Sequence, residues 1–285
     1  MNGLKTALLL GLLSGVLIVG GGAIAGRRGM TYALIGAIAM NFFSYFFSEK
    51  MALAASGAVR LSETQNSQIF WRLAPMVQQL CQRMALPMPK LWIIDQAEPN
   101  AFATGRNPAH SSVAVTRGLL ELMTDQEIEG VLGHELTHVK NHDILTSSVA
   151  ATIAAAITWM AQMAFWFGGR RNDDDEGGSP FAGILMMILA PLAAGLIQMA
   201  ISRTREYSAD AGSAQYTGSP RGLISALGKL ETYSKRIPMD VPNSMSHMYI
   251  IQPFSGASMS RLFSTHPSTE ERIARLERLQ SGTRI

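Results

Sequence analysis

Residues 124–142 read TDQEIEGVLGHELTHVKNH, and this stretch decides how the rest of the chain is read. Thr124 followed three residues later by Glu127 is the capping-box signature of a helix start, and an apolar pattern continues from there to Val139. Inside that helix lie His134, Glu135 and His138. Residues four apart on a helix stand one above the other, so the two imidazoles can aim at one ion while Glu135 sits beside it. The His-Glu-x-x-His pattern is a zinc signature. A catalytic zinc needs three protein ligands and one open position for water. His142 continues the same face but lies about 6 Å along the axis from His138 and about 12 Å from His134, too far to close a site with both. His142 and Asp143 read as helix-end residues.

The third ligand must come from elsewhere, and Glu206 in the sequence Arg205-Glu206-Tyr207-Ser208-Ala209-Asp210 is the candidate. The zinc-motif helix, 124–142, is expected to run directly into an uncharged stretch beginning at Ile144. A second uncharged stretch returns through Ser202 to Glu206. An antiparallel pair of helices brings His134, His138 and Glu206 to similar heights. Asp210, one turn beyond Glu206 on the same face, can accept the outer N–H of a zinc-bound histidine and fix its tautomer. The alternative for Glu206 is an ion pair with Arg203 or Arg205.

Composition sets the surroundings. Of 285 residues 47% are apolar and 16% charged, below the usual quarter for a soluble domain, and mean hydropathy is +0.14. Stretches 6–26, 30–48, 144–169 and 177–202 lack any charged residue and are long enough for helical membrane spans, which need about 20 residues. The first, preceded by Lys5, could instead be a signal peptide. Because only Arg27, Arg28 and Gly29 separate it from the second, a transmembrane hairpin over 4–48 is the more natural reading. A second hairpin over 144–202 then interrupts one soluble catalytic domain made of 49–143 and 203–285. Basic residues near the membrane ends, Lys5, Lys50, Arg60, Lys140, Arg203 and Arg205 against Arg27, Arg28, Arg170 and Arg171, favour a cytoplasmic domain. The acidic run 173–176 reads as a solvated loop. A net charge of +3 without a basic tract argues against nucleic acid as a partner, and the single cysteine, Cys81, excludes an intrachain disulfide or a cysteine zinc cluster.

Within the soluble parts an amphipathic helix is expected over 62–84, a strand over 90–95, a hairpin of 101–105 and 111–116 around residues 106–108, and helices over 203–212, 221–233 and 268–279. Residues 234–260 show no clear period and read as loop. The fold class is thus an α-helical membrane protein with an α+β soluble catalytic domain, a small sheet and four transmembrane helices.

These residues resemble the HtpX-type membrane zinc proteases, relatives of the CAAX prenyl protease. The resemblance rests on the N-terminal hairpin, Asn100-Ala101-Phe102-Ala103-Thr104-Gly105, the His-Glu-x-x-His helix, the second hairpin, Arg205-Glu206 to Asp210-Ala211-Gly212, and Thr265-His266-Pro267. It implies a gluzincin-like fold, one zinc ion per subunit with Glu206 as third ligand, and quality control of misfolded membrane proteins at a bacterial inner membrane. It also implies that His266 stabilises the oxyanion, helped by Arg272, and that Asn100 contacts the substrate backbone. His110 and His247 acquire no role. On this reading Glu135 serves as general base and then acid toward a zinc-activated water, and the substrate is a polypeptide bound as an added strand along 112–116. The competing readings are a catalytically silent zinc-binding scaffold, which would be expected to lack Glu135, and a transporter, whose crossings usually carry ionisable residues absent here.

Overall fold

The computed structural model describes residues 2–145, 203–236, 250 and 267–281. The expected crossings at 144–169 and 177–202 lie outside these, apart from residues 144, 145 and the flanking Arg203, as do the acidic run 173–176, His247, His266 and most of 234–260.

The first helical element, α1 (Asn2–Ala55), is not straight. Asn41 Nδ2 donates to Ser14 Oγ at 3.0 Å, although a straight helix would hold residues this far apart in sequence about 40 Å apart. The reversal falls at Gly26, whose φ of 57° is open to a residue without a Cβ. A second bend of 63° separates Gly26–Phe43 from Tyr45–Ala55. No single helix among the described residues is long and apolar enough to cross a membrane, but this bent pair passes on length and composition together. Tyr32, Ile35, Ile38, Phe42, Phe43 and Phe46 are exposed along it.

β1 (Val59–Arg60), β2 (Lys90–Ile94), β3 (Ala101–Asn107) and β4 (His110–Thr116) form one sheet in the order β1-β2-β4-β3. β4 pairs parallel with β2 and antiparallel with β3, which buries Val113, Ala114 and Val115. The hairpin strands each extend beyond the expected bounds, and Asn107 Oδ1 accepts the His110 N–H at 2.9 Å to close the turn. The position of β4 corrects one expectation. Residues 112–116 have a neighbour on both sides and cannot take an added peptide strand; the outer edge on that side is β3.

α2 (Ser67–Met84) starts later than the expected 62, because Ser62 forms a turn that accepts the Gln65 N–H, and Asn66 is left-handed. Its buried face, Leu73, Val77, Leu80 and Met84, packs with α4 (Asp125–Lys140), which follows the short α3 (Arg117–Leu122). The central helix α4 contributes Ile128, Val131, Leu132 and Leu136 to the core. Around it lie α5 (Arg203–Thr217), α6 (Arg221–Arg236), with Leu223, Leu227 and Leu230 inward, and α7 (Thr269–Gln280), with Leu276 inward.

Both ends of α4 bear on the site. At its start the capping box is present as read: Thr124 Oγ1 accepts the Glu127 N–H and the Glu127 carboxylate accepts the Thr124 N–H. Glu127 also receives Lys229 Nζ at 2.7 Å and the Ser225 hydroxyl, both from α6. At its end α4 does not run on into residue 144. It stops at Lys140, His142 takes a left-handed φ of 59°, and a new helical turn begins at Asp143.

Burial pushes the Glu127 carboxyl up, but the hydrogen bonds from Lys229, Ser225 and Thr124 outweigh it and hold the group at about 2, below its ordinary 4.5. A folded value below the unfolded one means stability that is present above pH 4.5 and is lost as the pH falls through about 2. Glu127→Gln is therefore expected to lower stability at pH 7 by on the order of 2 kcal/mol, with the gap to the parent closing between pH 4.5 and 2, as read by thermal unfolding in detergent.

Candidate metal centre

His134 and His138 face Glu206 because α4 and α5 pack unusually close. Gly212 of α5 lies against Thr137, where a Cβ would overlap the threonine side chain, and Ser213 Oγ donates to the Gly130 carbonyl at 2.6 Å. The two imidazole Nε2 atoms stand 3.2 Å apart; Glu206 Oε2 is 3.7 Å from His134 Nε2 and Oε1 is 3.5 Å from His138 Nε2. These ligand atoms all lie within 4.8 Å of one another. A tetrahedral ion with bonds of about 2.0–2.2 Å has ligand-to-ligand edges of roughly 3.3–3.6 Å, so the set fits one metal ion.

The remaining ring nitrogens say which atoms are free to ligate. His134 Nδ1 lies 2.9 Å from Asp210 Oδ1, as expected for Asp210, and His138 Nδ1 lies 3.1 Å from Asp143 Oδ2. Each carboxylate assigns the ring proton to Nδ1 and leaves the Nε2 lone pair pointing inward. Two lone pairs facing each other across 3.2 Å call for a cation between them. The charge balance agrees. Among the described residues, the buried ionisable groups around the histidines are Glu135, Asp143, Glu206 and Asp210 against Arg205 and Arg272. Four acidic groups against two guanidiniums give the pocket an acidic excess, which a divalent ion would relieve. Without a metal, burial would lower the His138 pKa, but the Asp143 hydrogen bond and the charges of Glu206, Glu135 and Asp143 lift it to about 9, so a proton bridges the two Nε2 atoms where a divalent ion would replace it.

Glu135 is buried beside the pair, and its Oε2 accepts the Ala103 N–H of β3 at 2.9 Å. Burial raises its pKa, partly offset by the adjacent histidines. Thus α4 supplies the histidines and the candidate base, α5 supplies Glu206 and Asp210, and β3 fixes the base.

Arg272 and Asn100, the two residues expected near the substrate, are both buried. Arg272 is 1% exposed, donates to both Asp210 oxygens at 2.9 and 2.6 Å and to the Ile250 carbonyl at 2.8 Å, and lies 3.7 Å from Glu206 Oε2. It stands behind the ligands and braces Asp210; burial alone would push the Asp210 carboxyl up, but the Arg272 charge and the bonds from His134 and Arg272 hold it down. Asn100 is also buried, and its side-chain carbonyl accepts the Ile250 N–H at 3.4 Å. Both residues therefore clasp Ile250. His110 is exposed and bonds to Asn107 at its own hairpin tip. Asp143 was read only as a helix end; nothing in its spacing predicts contact with His138, because that contact needs the turn at His142.

Gly212→Ala tests the close approach. The added methyl is expected to cost about 1–3 kcal/mol and to lower metal retention by moving Glu206 away from α4, read by thermal unfolding and by metal content after dialysis.

Comparison with known proteins supports the same assignment. Residues 67–280 match the family model described as peptidase family M48. A protein named Protease HtpX homolog from Desulfatibacillum aliphaticivorans is 53% identical over 287 residues, covering 99% of this chain and 91% of that protein. Proteins of the same name from Ralstonia nicotianae and Burkholderia thailandensis are 50% and 49% identical, covering 99% and 96% of this chain and 98% and 96% of theirs. Among solved structures, the crystal structure of S. mikatae Ste24p superposes with a TM-score of 0.53 at 18% identity, covering 96% of this chain and 64% of that one, and so shares the fold. The chain belongs to peptidase family M48 and is a metallopeptidase.

Proposed function

We propose that this chain is a membrane-integrated, zinc-dependent endopeptidase that cuts polypeptides, chiefly membrane proteins, close to the bilayer. The observation that carries the reading is the convergence of His134, His138 and Glu206 beside Glu135, with Glu135 tied to the backbone of the outer strand β3. Two histidines, one carboxylate and no thiolate form a donor set suited to catalytic zinc. Bound there, zinc would supply Lewis acidity and lower the pKa of a coordinated water toward 7.

The chain's own residues supply the rest. Glu135 accepts the proton of the attacking water and returns it to the leaving amide nitrogen, and its buried position favours the protonated form needed for the second step. Asp210 and Arg272 keep the His134 ring in one tautomer and orientation. His266 is the proposed oxyanion donor, on the resemblance of Thr265-His266-Pro267 alone. The peptide binds along β3: the Ala103 N–H points away from β4, so by strand alternation Ala101 and Gly105 present their backbone groups on the same outer edge. Pairing through the backbone suits broad sequence tolerance.

The far end of β3 supports membrane substrates. The Arg106 guanidinium lies 5.3 Å from the Phe46 ring of α1, and Glu49 at the end of the apolar stretch accepts Ser112 Oγ at 2.7 Å and pairs with Lys90 at 3.4 Å. If 4–48 and 144–202 cross the membrane as hairpins, the strand runs from the bilayer surface to the metal. Ala103 lies three residues from Arg106, about 10 Å along a strand. A chain emerging from lipid would reach the site within a few residues. We place the domain on the cytoplasmic side of a bacterial inner membrane, acting in quality control.

Casein cleavage in detergent, comparing parent and Glu135→Gln at equal zinc content, tests this reading. The parent is expected to cut, and the variant to retain zinc and lose about 10²–10⁴ in rate. Zinc binding by both without cleavage by either would leave a silent scaffold, and equal cleavage by both would remove Glu135 as the base.

A further inference from the structure

We propose that Asp143 is a positioning residue of the metal centre, delivered to His138 by the left-handed turn at His142. The inference rests on the metal reading above and concerns this chain's own residues.

A helix continued through residue 143 would carry Asp143 about 140° around the axis from His138 and about 7.5 Å beyond it, so its carboxylate would face away from the imidazole. Instead α4 ends at Lys140, and Asn141 closes it by donating its N–H to the Thr137 carbonyl at 2.9 Å. His142 then adopts φ 59°, and the next helical turn starts at Asp143. Left-handed backbone is unfavourable for a residue with a Cβ and persists where the surrounding structure over-determines it. What the turn achieves is the contact: Asp143 Oδ2 lies 3.1 Å from His138 Nδ1, with the Asp143 side chain 4% exposed.

The two histidine ligands are thereby treated alike. Asp210 holds Nδ1 of His134 and is braced by Arg272, while Asp143 holds Nδ1 of His138. Arg205, buried on α5, adds a favourable positive charge for both Asp143 and Glu206. The difference lies in origin. Asp210 comes from a neighbouring helix, whereas Asp143 comes from the point where the chain leaves the zinc-motif helix toward the uncharged stretch at 144–169. The orientation of His138 therefore depends on a backbone turn as well as on a side chain.

Zinc affinity of the full chain in detergent, measured by competition with a chromogenic chelator, is the test, with the visible spectrum of the cobalt-substituted protein as a report on ligand geometry. Asp143→Ala is expected to weaken zinc binding 10- to 100-fold and to alter the cobalt spectrum. Asp143→Asn, whose Oδ1 still accepts the ring N–H, is expected to recover part of that loss. His142→Gly keeps the turn and should bind as the parent does. His142→Val, which removes no proposed ligand but resists positive φ, should weaken binding as Asp143→Ala does. Parent-like affinity and spectrum in Asp143→Ala would overturn the proposal, and so would equal losses in His142→Gly and His142→Val, which would make the His142 side chain the required group. Should Asp143→Ala fail to fold, the two His142 variants decide the matter. A parent that binds no zinc would instead remove the metal reading itself.

Discussion

The close approach of α5 to α4 is the constraint on which the rest of the molecule depends. Small residues at the contact, Gly133 on one side and Gly212 and Ser213 on the other, let the backbones come near enough for side chains from both helices to share one point. The matched four-residue spacings then do the alignment. His134 and His138 rise one turn apart on α4, Glu206 and Asp210 one turn apart on α5, so ligand meets ligand and outer carboxylate meets outer ring nitrogen. The leucines of α2 and α6 press on α4 from other sides and keep it central. Their burial contributes to stability, but its consequence for function is that α4 has little freedom to shift.

Concentrating carboxylates in this way has an electrostatic cost that shapes the site. Glu135, Asp143, Glu206 and Asp210 would repel one another in a medium of low polarity, and two buried guanidiniums cancel only part of that repulsion. The centre is thus poised for a divalent cation, and metal binding and folding are linked: whatever stabilises the ion stabilises the packing of α4, α5 and α7 around it. Glu135 gains a further constraint from the Ala103 N–H, so the candidate base and the strand that would carry the peptide are held in one hydrogen bond.

Much of this was legible in the chain before any coordinates. Thr124 and Glu127 mark the start of α4, the spacing of His134 and His138 marks a metal site, and the expectation of an antiparallel return singled out Glu206 and Asp210. The parts that were not legible have a common physical origin, in that they depend on non-local geometry. The parallel pairing of β2 with β4, which buries 112–116 and makes β3 the outer strand, leaves no trace in alternation alone. The left-handed turn at His142 leaves no mark in the helical periodicity, so α4 ends earlier than its pattern suggests and the contact of Asp143 with His138 does not show in the spacing. Arg272 sits in a helix with charged residues on most sides, a pattern that does not mark it as interior, and is the most buried cation among the described residues.

That burial carries a consequence for the order of events in synthesis. Arg272 lies on α7, later in the chain than both histidines, Glu206 and Asp210, and its guanidinium closes the back of the ligand set while clasping Ile250. During synthesis His134 and His138 emerge first and Glu206 and Asp210 follow, whereas the guanidinium that compensates the Asp210 charge comes only with α7. The three ligands thus precede in the chain the brace that holds His134 through Asp210, and a chain stopped before α7 would carry all of them without that brace.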